Sequence, residues 1–210
     1  MMLGVAACYH RMLSHKSYET SRFMKLLTMW FGAMSSQGSP ISWVTIHRGY
    51  HHRYADTDRD PHSPEHGFWH SYIGWMFKLR VGGMNPKYIP DLLRDKDCLF
   101  FHKYYNEILF GSHLLLILIS FDFWLYAVLL PVFITFHSYS INTSVNHYTK
   151  FGYKNYETKD NGLNVVWLFP LLLGEAWHNN HHGNTKSATF GKNKWELDPT
   201  YWLIKLIKKS

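Results

Sequence analysis

Between Ile108 and Tyr148 the chain carries one formal charge, Asp122, within a run of about forty residues whose centre reads LLLILISFDFWLYAVLLPVFITF. A single bilayer crossing takes about 20 apolar residues, so a run of this length predicts two membrane helices joined near Asp122. The first arm, Glu107 to Phe121, is short for a span and calls for a thinned bilayer or a tilted partner. Lys103 precedes the hairpin, and Lys150 and Lys154 follow it, while the Asp122 turn has neither Lys nor Arg. Positive charge concentrates on the cytoplasmic side, which places both ends of the hairpin there. The mean hydropathy of -0.24 favours a soluble protein, but buried helices of soluble proteins rarely run uncharged for so long.

The other apolar stretches are too short to cross. Met1 to Tyr9 reads as the end of a span, and Leu163 to Leu173 suits only a buried or interfacial segment. The apolar start runs straight into His10 and Arg11 with no basic region before it, unlike a signal peptide. Ser21 to Met34 carries apolar residues on a helical period and suits a membrane surface. Gly38, Ser39 and Pro40 break it, and a new helix from Ser42 carries Trp43 to His52. Residues 55–64, ADTDRDPHSP, are acidic and turn-rich, and Gly82, Gly83, Asn85 and Pro86 mark a loop. No stretch alternates long enough to build a sheet. The predicted fold class is all-α.

A hydrophobic content of 46 % in 210 residues excludes a disordered chain. Cys8 and Cys98 form no CxxC pair, so neither a disulfide framework nor a Cys-rich zinc site is indicated, and a reducing compartment is expected. The net charge of +7 has one local concentration, Lys205, Lys208 and Lys209. A basic surface suits nucleic acid or anionic lipid, and the apolar run decides for lipid.

Fifteen histidines are an unusual share, and histidine is the commonest metal-ligand side chain. Eight fall in three windows: HRMLSH with His10 and His15, HRGYHH with His47, His51 and His52, and HNNHH with His178, His181 and His182. Residues three and four apart share a helix face, so the second and third windows converge their rings. His10 and His15, five apart, diverge by about 140° on an ideal α-helix and suit a helix that ends or unwinds. Eight imidazoles exceed what one ion uses, and two ions are the economical reading. HExxH is absent, and only Glu175 with His178 makes a Glu-x-x-His pair, so zincin and carboxylate-bridged ferritin-like sites are not supported. Asp56, Asp58, Asp60 and Glu175 lie close enough in sequence to accept the outer N–H of ligand imidazoles.

In order and spacing these windows resemble the three histidine boxes of the membrane fatty-acid desaturases. ADTDRDPHSP, FGYKNYETKDN, GEAWHNNHH and WELDPTYW resemble the acyl-CoA, stearoyl-type delta-9 branch, and the similarity runs from Gly4 to Ile207. That resemblance implies an integral membrane helical protein whose cytosolic helical cap carries a His-rich di-iron site. It implies ligands at His10, His15, His47, His51, His52, His178, His181 and His182, with a ninth, His147, just after the hairpin. The family places a water-holding Asn four residues before that ninth histidine, where this chain has Thr143, and Asn142 takes the role in this reading. The branch commonly has two residues between the first histidines of its second box; here Arg48, Gly49 and Tyr50 make three, and Gly49 suits a local bulge. Gln37 and Trp43 resemble positions lining the bend of the acyl tunnel. His62, His66, His70, His102, His113 and His137 match no ligand position.

The resemblance further implies a single domain over 1–210: the end of a truncated membrane helix, two boxes and interfacial helices in 1–106, the hairpin in 107–146, and a cytosolic part with the third box in 147–210. Two family helices precede the first box, so an N-terminally shortened chain is expected. The implied reaction is O2-dependent desaturation, delta-9 by branch, of a fatty acyl thioester of CoA or acyl carrier protein, with the site on the cytoplasmic side. No CxxCH, Cys cluster or GxGxxG is present, so electrons must come from a donor such as ferredoxin or cytochrome b5. The alternatives are a related di-iron hydroxylase and an inactive, truncated metal-binding membrane protein.

Overall fold

The computed structural model describes residues 1–78, 85–148 and 150–209, so Gly82 and Gly83 of the expected loop lie outside the described residues. Among those described, every regular element is helical, and β pairing is confined to isolated bridges such as Thr20 with Lys208 and Tyr153 with Asn164. The all-α expectation holds.

The apolar run forms two helices, Tyr105–Ile119 and Phe121–Tyr148. The break falls at Ser120, two residues before Asp122. Ser120 is extended (φ -164°, ψ 118°), and its hydroxyl accepts the Phe123 N–H at 3.2 Å, so a serine cap starts the second arm. At about 1.5 Å per residue, the 28 residues of Phe121–Tyr148 reach about 42 Å against a hydrocarbon core of about 30 Å. The 15 residues of Tyr105–Ile119 reach only about 22 Å. Near the turn the arms hold each other through Trp124 Nε1–H donating to His113 Nδ1 at 3.0 Å. Phe110, Leu118, Ile119, Tyr126 and Phe133 are all more than half exposed. An apolar face this continuous is the signature of a surface that meets lipid rather than water.

The second arm continues through Ser138, Ser144 and Asn146, and His147 sits in its last turn. These polar residues turn their donors back onto the helix itself. Ser138 and Ser144 donate to the carbonyls of Ile134 and Ser140, and Asn146 donates to Asn142 Oδ1.

The first box lies on Gly4–Ser14, and Arg22–Met34 packs against that helix and the first arm. Trp30 ties it to the arm by donating Nε1–H to Ser112 Oγ at 3.0 Å. The helix crossing depends on glycine. A Cβ on Gly4 would meet Gly32 N at 2.7 Å, and one on Gly32 would meet the Tyr9 ring at 2.7 Å. Gly4→Val is expected to cost about 1–3 kcal/mol through overpacking against backbone that cannot yield, read as a lower denaturation midpoint in detergent.

The second-box helix starts at Pro40, two residues before the expected Ser42. Ser39 caps it by accepting Ser42 N–H, and Pro40 fills the first turn, where no N–H is needed.

Candidate metal centre

Two boxes are wound as π-helix, Gly4–Ser14 and His47–His51. In this winding the N–H of residue i+5 bonds the carbonyl of residue i, which brings residues five apart onto one face. The His15 N–H donates to the His10 carbonyl at 3.2 Å, and the His52 N–H donates to that of His47. The divergence expected for His10 and His15 on an α-helix therefore does not occur. The extra residue of the second box is absorbed by the same device. Gly49 serves there as a close-approach site, since a Cβ would meet Tyr88 Cδ2 at 2.9 Å.

The nine histidines converge into two groups, His10, His15, His47, His52 and His181 in one, and His51, His147, His178 and His182 in the other. Within the first, Nε2 atoms lie 2.9 Å apart for the pairs His10–His181, His15–His47, His47–His52 and His52–His181. Within the second, His147 and His178 approach to 2.7 Å and His51 and His182 to 3.2 Å. Two nitrogens about 2.1 Å from a shared ion and about 90° apart stand about 3.0 Å from each other, so the spacing fits two transition-metal positions.

Tautomers support the fit. His10, His51, His147 and His182 direct Nδ1 outward at Glu175, Asp60, Asp56 and Asp160, respectively. An outward N–H leaves the inward Nε2 as a lone pair, and such lone pairs crowd together stably only around a cation. Of the four acids expected behind the ligands, Asp56, Asp60 and Glu175 stand there. Asp58 does not: its side chain is 83 % exposed and its contact is His66 at 3.4 Å. Asp58 points to solvent from the turn, where water satisfies it. Asp160 occupies the remaining place, 3.0 Å from His182 Nδ1.

Behind the five-histidine group sits Arg11, fully buried. It donates to Glu175 Oε1 at 2.8 Å, to Asp198 Oδ2 at 2.7 Å and to the Ala188 carbonyl at 2.8 Å, and its guanidinium lies 3.8 Å above the Phe190 ring. Phe190 in turn stacks on His181 at 4.3 Å. The two asparagines inside the third box pin it to its surroundings. Asn179 Oδ1 accepts the N–H groups of Asn155 and Tyr156, and Asn180 donates to Phe190 O and Glu196 Oε2.

Burial, reinforced by mutual repulsion, holds His47, His52, His178 and His181 well below the usual imidazole range, His15 at about 2 and His182 at about 4. His51 runs the other way: burial lowers it, but Asp60, Asp56 and Asp160 together outweigh burial and raise it. For the depressed histidines, the unfolded chain takes up protons below about pH 6.5 that the folded chain refuses, so stability falls with pH. The metal-free protein is expected to lose thermal stability steadily from about pH 6.5 towards 4. A melting temperature flat across that window would contradict the neutral cluster.

A cavity of about 430 Å³ touches both groups, reaching His10 and His47 of one and His51 and His178 of the other. Its size is that of pockets enclosing small organic ligands. Gln37 and Trp43 both line it. Trp43 stacks on His47 at 4.8 Å and donates Nε1–H to Gln37 Oε1 at 3.3 Å, while Gln37 Nε2 donates to the Thr135 carbonyl. Asn142 lines the cavity too, buried on the second arm, whereas the Thr143 hydroxyl is engaged by the carbonyls of Ser71 and Ser140.

The family model for fatty acid desaturases matches residues 1–186. The chain belongs to the fatty acid desaturase family. It is 34 % identical over 208 residues to the sn-1 stearoyl-lipid 9-desaturase of Anabaena variabilis, covering 98 % of this chain and 75 % of that protein. It is 35 % identical to the sn-2 palmitoyl-lipid 9-desaturase of Nostoc sp. (strain 36), covering 98 % and 73 %, and 35 % identical to the sn-1 stearoyl-lipid 9-desaturase of Synechocystis sp., covering 98 % and 64 %.

For this desaturase, sequence reasoning overlooked Asp160, Arg11, Phe190 and Asp198. Arg11 carried a signal, being a cation inside a histidine box. Asp160 lies 22 residues before its histidine, so nearness along the chain does not find it. His62, read as an ordinary histidine, is buried beside Asp60, 4.6 Å from the His51 ring, and faces the cavity.

Proposed function

We propose that this chain acts as a single desaturase domain that introduces a cis double bond at the delta-9 position of a saturated acyl chain carried on a membrane lipid. The observation that carries the reading is the cavity shared by the two histidine groups. The relatives named above desaturate position 9 of stearoyl- or palmitoyl-lipids, which supports both the position and the carrier. A thioester of CoA or acyl carrier protein is the second reading, favoured by the motif set around the boxes.

The balance is one saturated acyl chain, one O2, two electrons and two protons giving one alkene and two waters. Two irons held by the nine histidines supply, with dioxygen, the oxidising power that an unactivated methylene requires. The protein's part is placement and exclusion of water. Trp43 gives the cavity an aromatic wall fixed by Gln37, and Asn142 offers a buried polar atom for a water. The carboxylates behind the rings fix tautomer and angle. Lys103 and Asn106, at the base of the first arm, also line the cavity and suit the polar end of the substrate. The lysines at both hairpin ends support a cytoplasmic site, and a small one-electron carrier such as ferredoxin or cytochrome b5 suits the basic chain.

The test is expression in a host supplying such a donor, with stearoyl-lipid and stearoyl-CoA offered as labelled substrates. Delta-9 monoene from the lipid is expected by mass spectrometry. A hydroxylated product would mark the related oxygenase, and no product with protein, iron and donor all present would defeat the reading.

A further inference from the structure

The two histidine groups are alike on the inner side and different behind it. In the four-histidine group, three of four rings donate Nδ1–H to an aspartate: His51 to Asp60, His147 to Asp56 and His182 to Asp160. Among the described residues no buried cation offsets these carboxylates. Lys154 bonds the main-chain oxygen of Asp160 at 2.7 Å, but it is exposed and screened by water.

The five-histidine group has one ring backed by a carboxylate, His10 on Glu175, and that carboxylate is shared with the buried Arg11. Arg48 adds a second cation nearby, donating Nε–H to the Ser14 carbonyl beside His15 at 2.9 Å. His181 Nδ1 is buried and has no hydrogen-bond partner. One group therefore sits in the field of three anions, whereas at the other Arg11 and Arg48 stand against Glu175, Asp198 and Asp91, which leaves a single net anion. A carboxylate behind an imidazole makes the ring a stronger donor, and fixed negative charge in a desolvated site favours the more positive ion.

We infer that Asp56, Asp60 and Asp160 make the four-histidine position the one that favours the more highly charged ion, so that the paired irons take up electrons singly, the five-histidine position first. This rests on the di-iron reading above. From the diferric state, one electron from dithionite makes the ion in the five-histidine group ferrous, and a second reduces the other; no bond to the protein forms or breaks.

The experiment uses the full chain in lipid nanodiscs, loaded with Mössbauer-active iron and titrated with dithionite in half-electron steps. Iron analysis gives the stoichiometry, and Mössbauer and electron paramagnetic resonance spectra give the oxidation states. At one electron per chain, a mixed-valence species is expected to dominate. Asp160→Asn, or Asp56→Asn should the first fail to hold two irons, is expected to lower that species several-fold by easing the second reduction. Glu175→Gln is expected to raise it by easing the first. Diferric and diferrous forms alone with two irons bound, or both substitutions moving the species in the same direction, would overturn the inference while leaving the di-iron reading intact. Fewer than two irons in the unaltered chain would overturn both.

Discussion

Replacing His181 with alanine is expected to abolish desaturation and to strip iron from the five-histidine group. The ring is fully buried, and its Nε2 lies 2.9 Å from those of both His10 and His52, so it joins the third box to the first two. A loss of activity of at least about a thousandfold is expected, equivalent to about 4 kcal/mol. Bound iron should fall from about two per chain, as fits the two positions proposed. His70→Ala is the control. That ring bonds the Pro61 carbonyl at 3.0 Å and belongs to neither group, so the variant should keep its iron. Elemental analysis and product mass spectrometry read both quantities, and unchanged iron in the His181→Ala protein would contradict the assignment.

Arg11→Met is expected to be the most destabilising single change that touches no ligand. It removes the cation that Glu175 and Asp198 share while leaving both carboxylates buried. Breaking a buried pair in this way costs about 3–5 kcal/mol, a large share of the 5–15 kcal/mol that typically holds a domain together. Asp198 also accepts the N–H groups of Tyr201 and Phe190, so the C-terminal helix Pro199–Ile207 should loosen with the site. Arg11→Lys should recover only part, because a single ammonium cannot span the two carboxylates and the Ala188 carbonyl. Denaturant midpoints in detergent measure this directly, and a shift under about 1 kcal/mol for Arg11→Met would show that the pair is dispensable.

What could be read from the residues was what depends on local spacing. The apolar run announced its hairpin, and the three windows announced grouped imidazoles. What escaped depended on a different helical winding or on contacts across the fold. His10 and His15 look divergent only if the helix is assumed to be α; the backbone instead bonds over five residues. The join expected near Asp122 falls two residues before it, at Ser120, because the second arm is capped by a hydroxyl rather than by the carboxylate. Asp58 lies between Asp56 and Asp60 in sequence, yet only those two turn inward. Asp160 reaches the site from a separate loop, and although FGYKNYETKDN marked that stretch, nothing in its spacing pointed the carboxylate at His182.

The wide turn at His47–His51 has a consequence for how such a box tolerates change. If Gly49 were deleted, the same stretch would tighten to ordinary α pitch and still present its three rings to one side, because the shorter repeat and the tighter coil compensate each other. Loss or gain of one codon inside the motif thus leaves the ligand face in place, provided the Tyr88 ring yields to the side chain that replaces Gly49. Chains with two or three intervening residues can trade places in evolution without dismantling the centre they serve.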